Sequence, residues 1–423
     1  MINKNEIILE KWIKYFDFTA SWLSYKSIED KIQNILLTYA NTHSEVWYNA
    51  KKTSEYYENA RNSLRKNLEL NDDFYILPCW NWATSAIKKF QEILWIYISP
   101  KTKERLNLKI DKKELPLVII WPFEHHSNEL SFREWLCENI RIPLNSDWEI
   151  DLLFLEKVLK ENKNRELLWS FSVASNVTWI FNPIEKISNL FKKYNWILAL
   201  DSATSSPYLN VNNDYFDALF LSPHKLLWWP WSCWILIIRK SICENFEKPT
   251  FSWWWTVDYV SKTDQKYSND FETIEDYWTP GILQFIKASL AYELRNNFWL
   301  ENIKGKEEIL KNYFLEKISE IENLELYWSL KTEKLPIFSF NIKWLNPYKI
   351  SEILSEKFWI QTRAGCSCAW PYWHDLLHLE DWLDLKNNSK PGWIRVWLHF
   401  IHEKEDIDFF VESLKEVVDI LEF

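Results

Sequence analysis

The sequence predicts an α/β fold: a large unit built on a mainly parallel sheet, then a smaller α+β unit. Three observations predict it. Short, nearly continuous apolar runs alternate with helix-periodic stretches, as strands buried on both faces do. Polar clusters stand just after successive apolar runs, where open α/β sheets bind ligands. A long helical region, 283–322, then precedes a tail of alternating strand and helix patterns.

Taken in order, residues 26–70 read as helical, with Ile28, Ile32, Ile35 and Leu36 at helix spacing. The strand candidates are 74–79, 115–121, 167–175, 196–201, 218–222 and 234–240, each short and rich in Ile, Leu, Val or Phe. Between them, 84–94, 152–162 and 184–194 repeat apolar residues every three to four positions. In the tail, "IFSFNIK" (337–343) and "IRVWLHF" (394–400) read as strands, and 348–358 and 405–421 as helices. The polar clusters are "WNWATS", "EHHSN", "SNVTW", "DSATS" and "SPHK", after the first five strand candidates.

Composition narrows the function classes. A net charge of −10 argues against nucleic acid as a partner, because phosphate binding needs a basic face. No apolar run reaches the ~18 residues of a membrane span. The N-terminal stretch has no apolar leader, and the six cysteines are scattered, so a reducing cytoplasm is expected.

The chain has 29 Trp and only 4 Gly, where roughly 30 Gly are usual at about 7%. The tryptophans stand where tight connections call for glycine, as in "KLLWWPWSCW" (225–234), "SDWEID" and "SWWWTV". The expectation is that most are glycines in the living cell, a UGA codon being read there as glycine. The competing reading is a genuinely Trp-rich chain with aromatic binding platforms.

The motifs "CWNWATSA", "EHHSN", "SNVTW", "DSA", "SPHK", "EDYWTP", "RAGCSCAWPY" and "IRV" span roughly residues 17 to 400. In that order they resemble the class V aminotransferase family of pyridoxal-phosphate (PLP) enzymes, and within it the cysteine desulfurase and selenocysteine lyase group. Replacing Trp by Gly improves nearly every match. The resemblance implies a PLP-dependent transferase fold of type I. It implies an N-terminal segment (1–40) packing with a small C-terminal domain (301–423), and a large PLP-binding domain (41–300). A site between domains and at a homodimer interface is expected.

The resemblance also assigns residues. Lys225 would form the Schiff base, since a lysine held among cations and dipoles can be kept nucleophilic. Asp201 would pair with the pyridinium nitrogen and keep the ring an electron sink. His125 would stack on the ring, with His126 a neighbour of lesser role. Asn176 would reach the phenolic oxygen, and Thr204 stands where these enzymes usually carry Gln. The phosphate would lie on the helix start at Ala83 and Thr84, with Ser222 and His224. Thr279 would reach the partner subunit's phosphate, and Thr256 is a weaker candidate. Arg395 would clamp the substrate carboxylate with its planar fork, with Arg363 a second candidate.

Cys368 would carry the sulfur taken from L-cysteine, leaving alanine; where the family pattern has His two residues earlier, this chain has Cys366. A sulfur-acceptor protein is the implied partner. Other reactions on the same machinery, as aminotransferase, lyase or epimerase, stay open. So do a zinc site at Cys366, Cys368, His374 and His378, although zinc cysteines are usually spaced by two to four residues, and a non-catalytic scaffold.

Overall fold

The structure is a computed structural model. It describes the whole chain except residues 1–3, 43–45, 80–82, 108–109, 123, 146–148, 166, 227–231, 244–247, 253–255, 277–280, 299, 328–333, 366, 377–391 and 423.

After a two-residue strand at Ile7–Ile8, which pairs with Ser24–Tyr25, the N-terminal part holds β1 (Lys14–Tyr15), α1 (Lys26–Leu36) and α2 (Tyr48–Asn67). The helical pattern of 26–70 is thus two helices. Ile28, Ile32 and Ile35 are the buried stripe of α1. Strand β2 (Phe74–Cys79) and helix α3 (Ala83–Ile93) follow. Then come β3 (Leu117–Ile120), α4 (His126–Glu134), β4 (Glu138–Arg141), α5 (Leu152–Glu161), β5 (Leu167–Ser172), α6 (Ile184–Tyr194), β6 (Ile197–Asp201), β7 (Ala218–Leu221) and β8 (Trp234–Arg239).

These strands form one seven-stranded sheet in the order β2-β8-β7-β6-β5-β3-β4. Strand β8 runs antiparallel to both neighbours, β2 and β7, and the other pairings are parallel. β3 and β7 are buried at every residue, as a sheet covered on both faces requires. Strand β4, "ENIR", was not expected from sequence. It is the edge strand, half-buried throughout, so it lacks the apolar run that marks the others.

The long helical region is again two helices, α7 (Ile282–Asn297) and α8 (Leu300–Ile318). The tail then builds β9 (Leu324–Leu326), β10 (Ile337–Ile342), α9 (Pro347–Phe358), β11 (Ile360–Gln361), β12 (Arg363–Gly365), β13 (Trp393–Trp397) and α10 (Lys404–Glu422). Its antiparallel sheet has the order β9-β10-β13-β12. Helix α9 starts as its sequence dictates, with the Asn346 side chain accepting from the Tyr348 and Lys349 N–H groups and Pro347 in the first turn.

The N-terminal segment touches both parts. β1 pairs in parallel with β11, and Phe16 lies in one core with Phe314, Phe338 and Phe410. Ile32 and Ile35 of α1 join the core of the large sheet with Phe285, and Lys287 binds Glu29 at 2.9 Å.

Among the described residues four tryptophans sit in the left-handed region: Trp95 (φ 61°), Trp179 (φ 64°), Trp344 (φ 66°) and Trp359 (φ 58°). Trp359 caps the C-terminus of α9, a glycine position in most helices that end this way. Two of the four glycines have visible reasons. Gly365 takes φ 129°, and a Cβ on Gly392 would meet the Gly365 Cα at 3.0 Å.

Candidate active site

Strand ends deliver the central pair. Asp201 is the last residue of β6, and Lys225 ends the 3₁₀ turn Pro223–Lys225 just after β7. These strands are neighbours in the sheet, so their ends converge. The Asp201 Oδ1 accepts from the Ala203 N–H at 2.8 Å. Burial pushes the Asp201 carboxyl up, against the pull of that N–H and of the Lys225 ammonium. Burial likewise pushes the Lys225 amine down, opposed by Asp201 and assisted by Arg395. Both groups are thus driven towards their neutral forms.

His125 caps α4, its Nδ1 accepting from the Ser127 N–H at 3.2 Å. Burial, then the nearby Lys225 charge, holds this imidazole at about 3, so it is neutral. Ser127 Oγ also reaches Thr84 Oγ1 at 2.8 Å, tying the first turn of α3 to the His125 turn. His126 donates its backbone N–H to the Cys368 carbonyl at 2.9 Å.

The Cys368 loop is held from three sides. Asn176 Nδ2 donates to the Ser367 carbonyl at 2.7 Å, Trp393 Nε1 donates to Ser367 Oγ at 3.1 Å, and the His126 N–H makes the third contact. Ser367 and Cys368 both take left-handed φ, 56° and 58°. Among the described residues Cys368 is the exposed cysteine, while Cys79, Cys137, Cys233 and Cys243 are buried. Burial pushes the Cys79 and Cys137 thiols up to about 12, which keeps them inert at neutral pH.

Arg395 lies in β13, directly opposite Arg363 of β12. Its Nη1 donates to the Asn176 carbonyl at 3.2 Å, and its buried Nε has no partner. Burial lowers it to about 10. Arg363 is instead engaged by Asp17, with Nη2 to Oδ2 at 2.8 Å and Nε to both oxygens at 3.0 and 3.1 Å.

The structure therefore brings together Lys225, Asp201, His125, Asn176, Arg395, Arg363 and Cys368. Thr204 is buried in the turn after Asp201, and Ser222 and His224 flank the Lys225 turn. Thr256 is also buried. Ala83 opens α3. Trp80, Asn81, Trp82, Thr279, Cys366 and His378 lie outside the described residues. Among the described residues no three His, Cys, Asp or Glu side chains gather as a metal site, and no helix is long and apolar enough to cross a membrane.

Two participants were not singled out from sequence. Asp17 pairs with a residue 346 positions away, which no local pattern reveals. Glu124 is fully buried beside His125. Its oxygens accept from the Ser172 N–H, the Ser172 Oγ and the Asn128 Nδ2, each at 2.8 Å. Burial pushes its carboxyl up to about 8. Its only signal was its place at the head of the "EHHSN" cluster.

The donor set fits a phosphorylated pyridine aldehyde. A half-buried amine lies within electrostatic reach of a buried carboxyl, and a neutral imidazole stands near the amine. Three buried polar atoms around them are unpartnered: Ser222 Oγ, His224 Nδ1 and Asn176 Oδ1. Buried polar groups of this kind want a partner.

Comparison with known proteins agrees. A protein described as a probable cysteine desulfurase from Halalkalibacterium halodurans is 25% identical over 305 residues, covering 71% of this chain and 70% of that one. One of the same description from Staphylococcus aureus is 22% identical over 426 residues, covering 98% and 94%. Among solved structures, the apo cysteine desulfurase from Thermococcus onnurineus superposes with a TM-score of 0.81 at 21% identity, covering 98% and 97% of the two chains. The Escherichia coli cysteine desulfurase CsdA, in an S-sulfonic acid form, gives 0.78 at 16% identity, covering 99% of each. At these identities the superpositions establish the fold, type I of the PLP-dependent enzymes. The family model described as aminotransferase class-V matches residues 14–410, nearly the whole length, and the chain therefore belongs to that family of pyridoxal-phosphate enzymes.

Proposed function

We propose that this enzyme is a cysteine desulfurase, taking sulfur from L-cysteine onto Cys368 and releasing alanine. The observation that carries the reading is the exposed Cys368 on a loop hydrogen-bonded to the His126 turn and to Asn176. The names of the relatives support it.

When bound, pyridoxal phosphate supplies an aldehyde that condenses with amines and a ring that draws electrons from the substrate Cα. Lys225, its pKa pushed down by burial, holds the cofactor and then takes the α-proton. Asp201 stands where a ring nitrogen would need an anion. His125 offers a flat neutral face, and Ser222, His224, Ala83 and Thr84 line the phosphate end, with Thr279 serving the partner subunit's site. Asn176 and Thr204 complete the polar rim. Arg395 binds the substrate carboxylate, and Arg363 supports it. The Cys368 thiolate attacks the substrate sulfur: an S–S bond forms, the Cβ–Sγ bond breaks, and its electron pair stays on Cβ, which takes a proton. Cys368 keeps the sulfur as a persulfide for an acceptor protein. A cytoplasmic homodimer is the setting this reading implies.

The test is release of alanine and sulfide from L-cysteine by the PLP-loaded protein, with Cys368→Ala beside it. The variant should bind cofactor normally and lose at least about a hundredfold in turnover, the scale of removing a covalent catalyst. Undiminished turnover in the variant would return Cys368 to structure.

A further inference from the structure

We propose that the cavity between the Tyr208 turn, helix α8 and the chain entering β10 is a second binding site, suited to a small uncharged amide with an apolar body. It shares no residue with the site around Lys225.

Helix α8 supplies the anomaly. Its buried stripe is Ile303, Glu307, Leu310 and Phe314, at helix spacing, so an acid stands where the pattern wants an apolar residue. Glu307 is 4% exposed and lines a cavity of about 260 Å³. Among the described residues its Oε1 has no hydrogen-bond partner. The Tyr208 hydroxyl, on the same cavity, is likewise buried and unpartnered. The two groups do not bond each other, yet they are close. Burial, then the Glu307 carboxyl, pushes the Tyr208 phenol well above its usual range. Buried polar groups left this way are costly, and a ligand that pairs with both removes that cost.

The rest of the cavity sets the class of ligand. Phe181, Leu209, Leu335 and Pro336 give it an apolar wall. Its inner charges are engaged or suppressed. Lys311 pairs with Glu308 at 2.5 Å. Lys334 donates to the Ile337 carbonyl at 3.2 Å, and burial, then the Lys311 charge, lowers it to about 6. Burial pushes the Glu307 carboxyl up, opposed by the Phe400 N–H. An ionic ligand therefore finds no full countercharge inside. A neutral carboxamide answers both open groups: its N–H donates to Glu307 Oε1, and its carbonyl accepts from the Tyr208 hydroxyl.

The experiment titrates the PLP-loaded enzyme with benzamide, benzoate and benzamidine, followed by saturation-transfer NMR. The three share a ring and differ in the charge of the head group. Benzamide should bind with a Kd of about 1 mM or below, the range for so small a molecule. It should bind at least about fivefold more tightly than either ion, and Tyr208→Phe should weaken it by about the same factor, the scale of one hydrogen bond. Glu307→Leu should weaken it as much. Saturating L-alanine should leave benzamide bound, because the two sites are separate. No benzamide binding, tighter binding of either ion, indifference to Tyr208→Phe, or displacement by L-alanine overturns the proposal. If Glu307→Leu does not fold, Tyr208→Phe, which keeps the ring, decides alone.

Discussion

At the scale of single residues, some of the site candidates stood out by their surroundings in the sequence. Lys225, Asp201 and Arg395 each sit on or just after an apolar run, and a charged group there needs a reason. Glu124 hid behind two histidines because only the folded chain supplies its partners, Ser172 and Asn128. It carries a testable sign. Its folded pKa is raised by burial to about 8 from 4.5, so the native state binds the extra proton between those values. Its contribution to stability is full below 4.5 and fades as pH rises through 8. Urea unfolding of the protein and of Glu124→Gln should therefore diverge, the difference falling by up to about 1.4 kcal/mol per pH unit across that window. Parallel pH profiles would mean that Glu124 does not titrate there. Ser172 lies opposite Asp201 in the sheet, so the same buried carboxyl braces the strand beside the one that ends in Asp201.

Elements were legible where burial is two-sided and obscure where it is not. The fully buried β3 and β7 announce themselves as apolar runs, whereas the edge strand β4 pairs through its backbone and needs no such run. Helix lengths were overread because apolar residues recur past the helix ends at Leu36 and Asn297. The turns speak most directly to the Trp excess. Trp344 is 86% exposed and Trp359 52% exposed, both left-handed, where an L side chain gains little from packing and bears steric strain. We infer that these positions are glycines in the native protein. Peptide mass spectrometry of the native protein should read Gly at 344 and 359, and Trp there would reject the inference. In the Trp-containing chain, Trp344→Gly and Trp359→Gly should each raise stability by about 1 kcal/mol in urea unfolding.

At the scale of the whole molecule, a few N-terminal residues join parts that are remote in sequence. Phe16 stacks on His402 at 4.4 Å and packs against Phe410 at 5.2 Å. The His402 ring accepts the His399 N–H and its Nε2 lies 3.0 Å from the Tyr15 carbonyl. A little further on, the Trp22 N–H donates to the His224 carbonyl at 3.1 Å, reaching the Lys225 turn. Phe16→Ala should cost about 3–5 kcal/mol, the usual loss for a buried aromatic, and should loosen the Asp17–Arg363 contact with it. Chemical unfolding measures the first effect, and a crystal structure of the variant the second. Unchanged stability would place Phe16 outside the core. None of these long-range ties has a local sequence signal, and the packing of the N-terminal segment was expected from the family resemblance alone.

The backbone bond from His126 to the Cys368 carbonyl has a kinetic consequence. Any swing of the Cys368 loop away from the His126 turn must break this bond first. The His126 amide proton then exchanges while the loop is out. Its deuterium exchange rate becomes a clock for loop opening, readable with no ligand present.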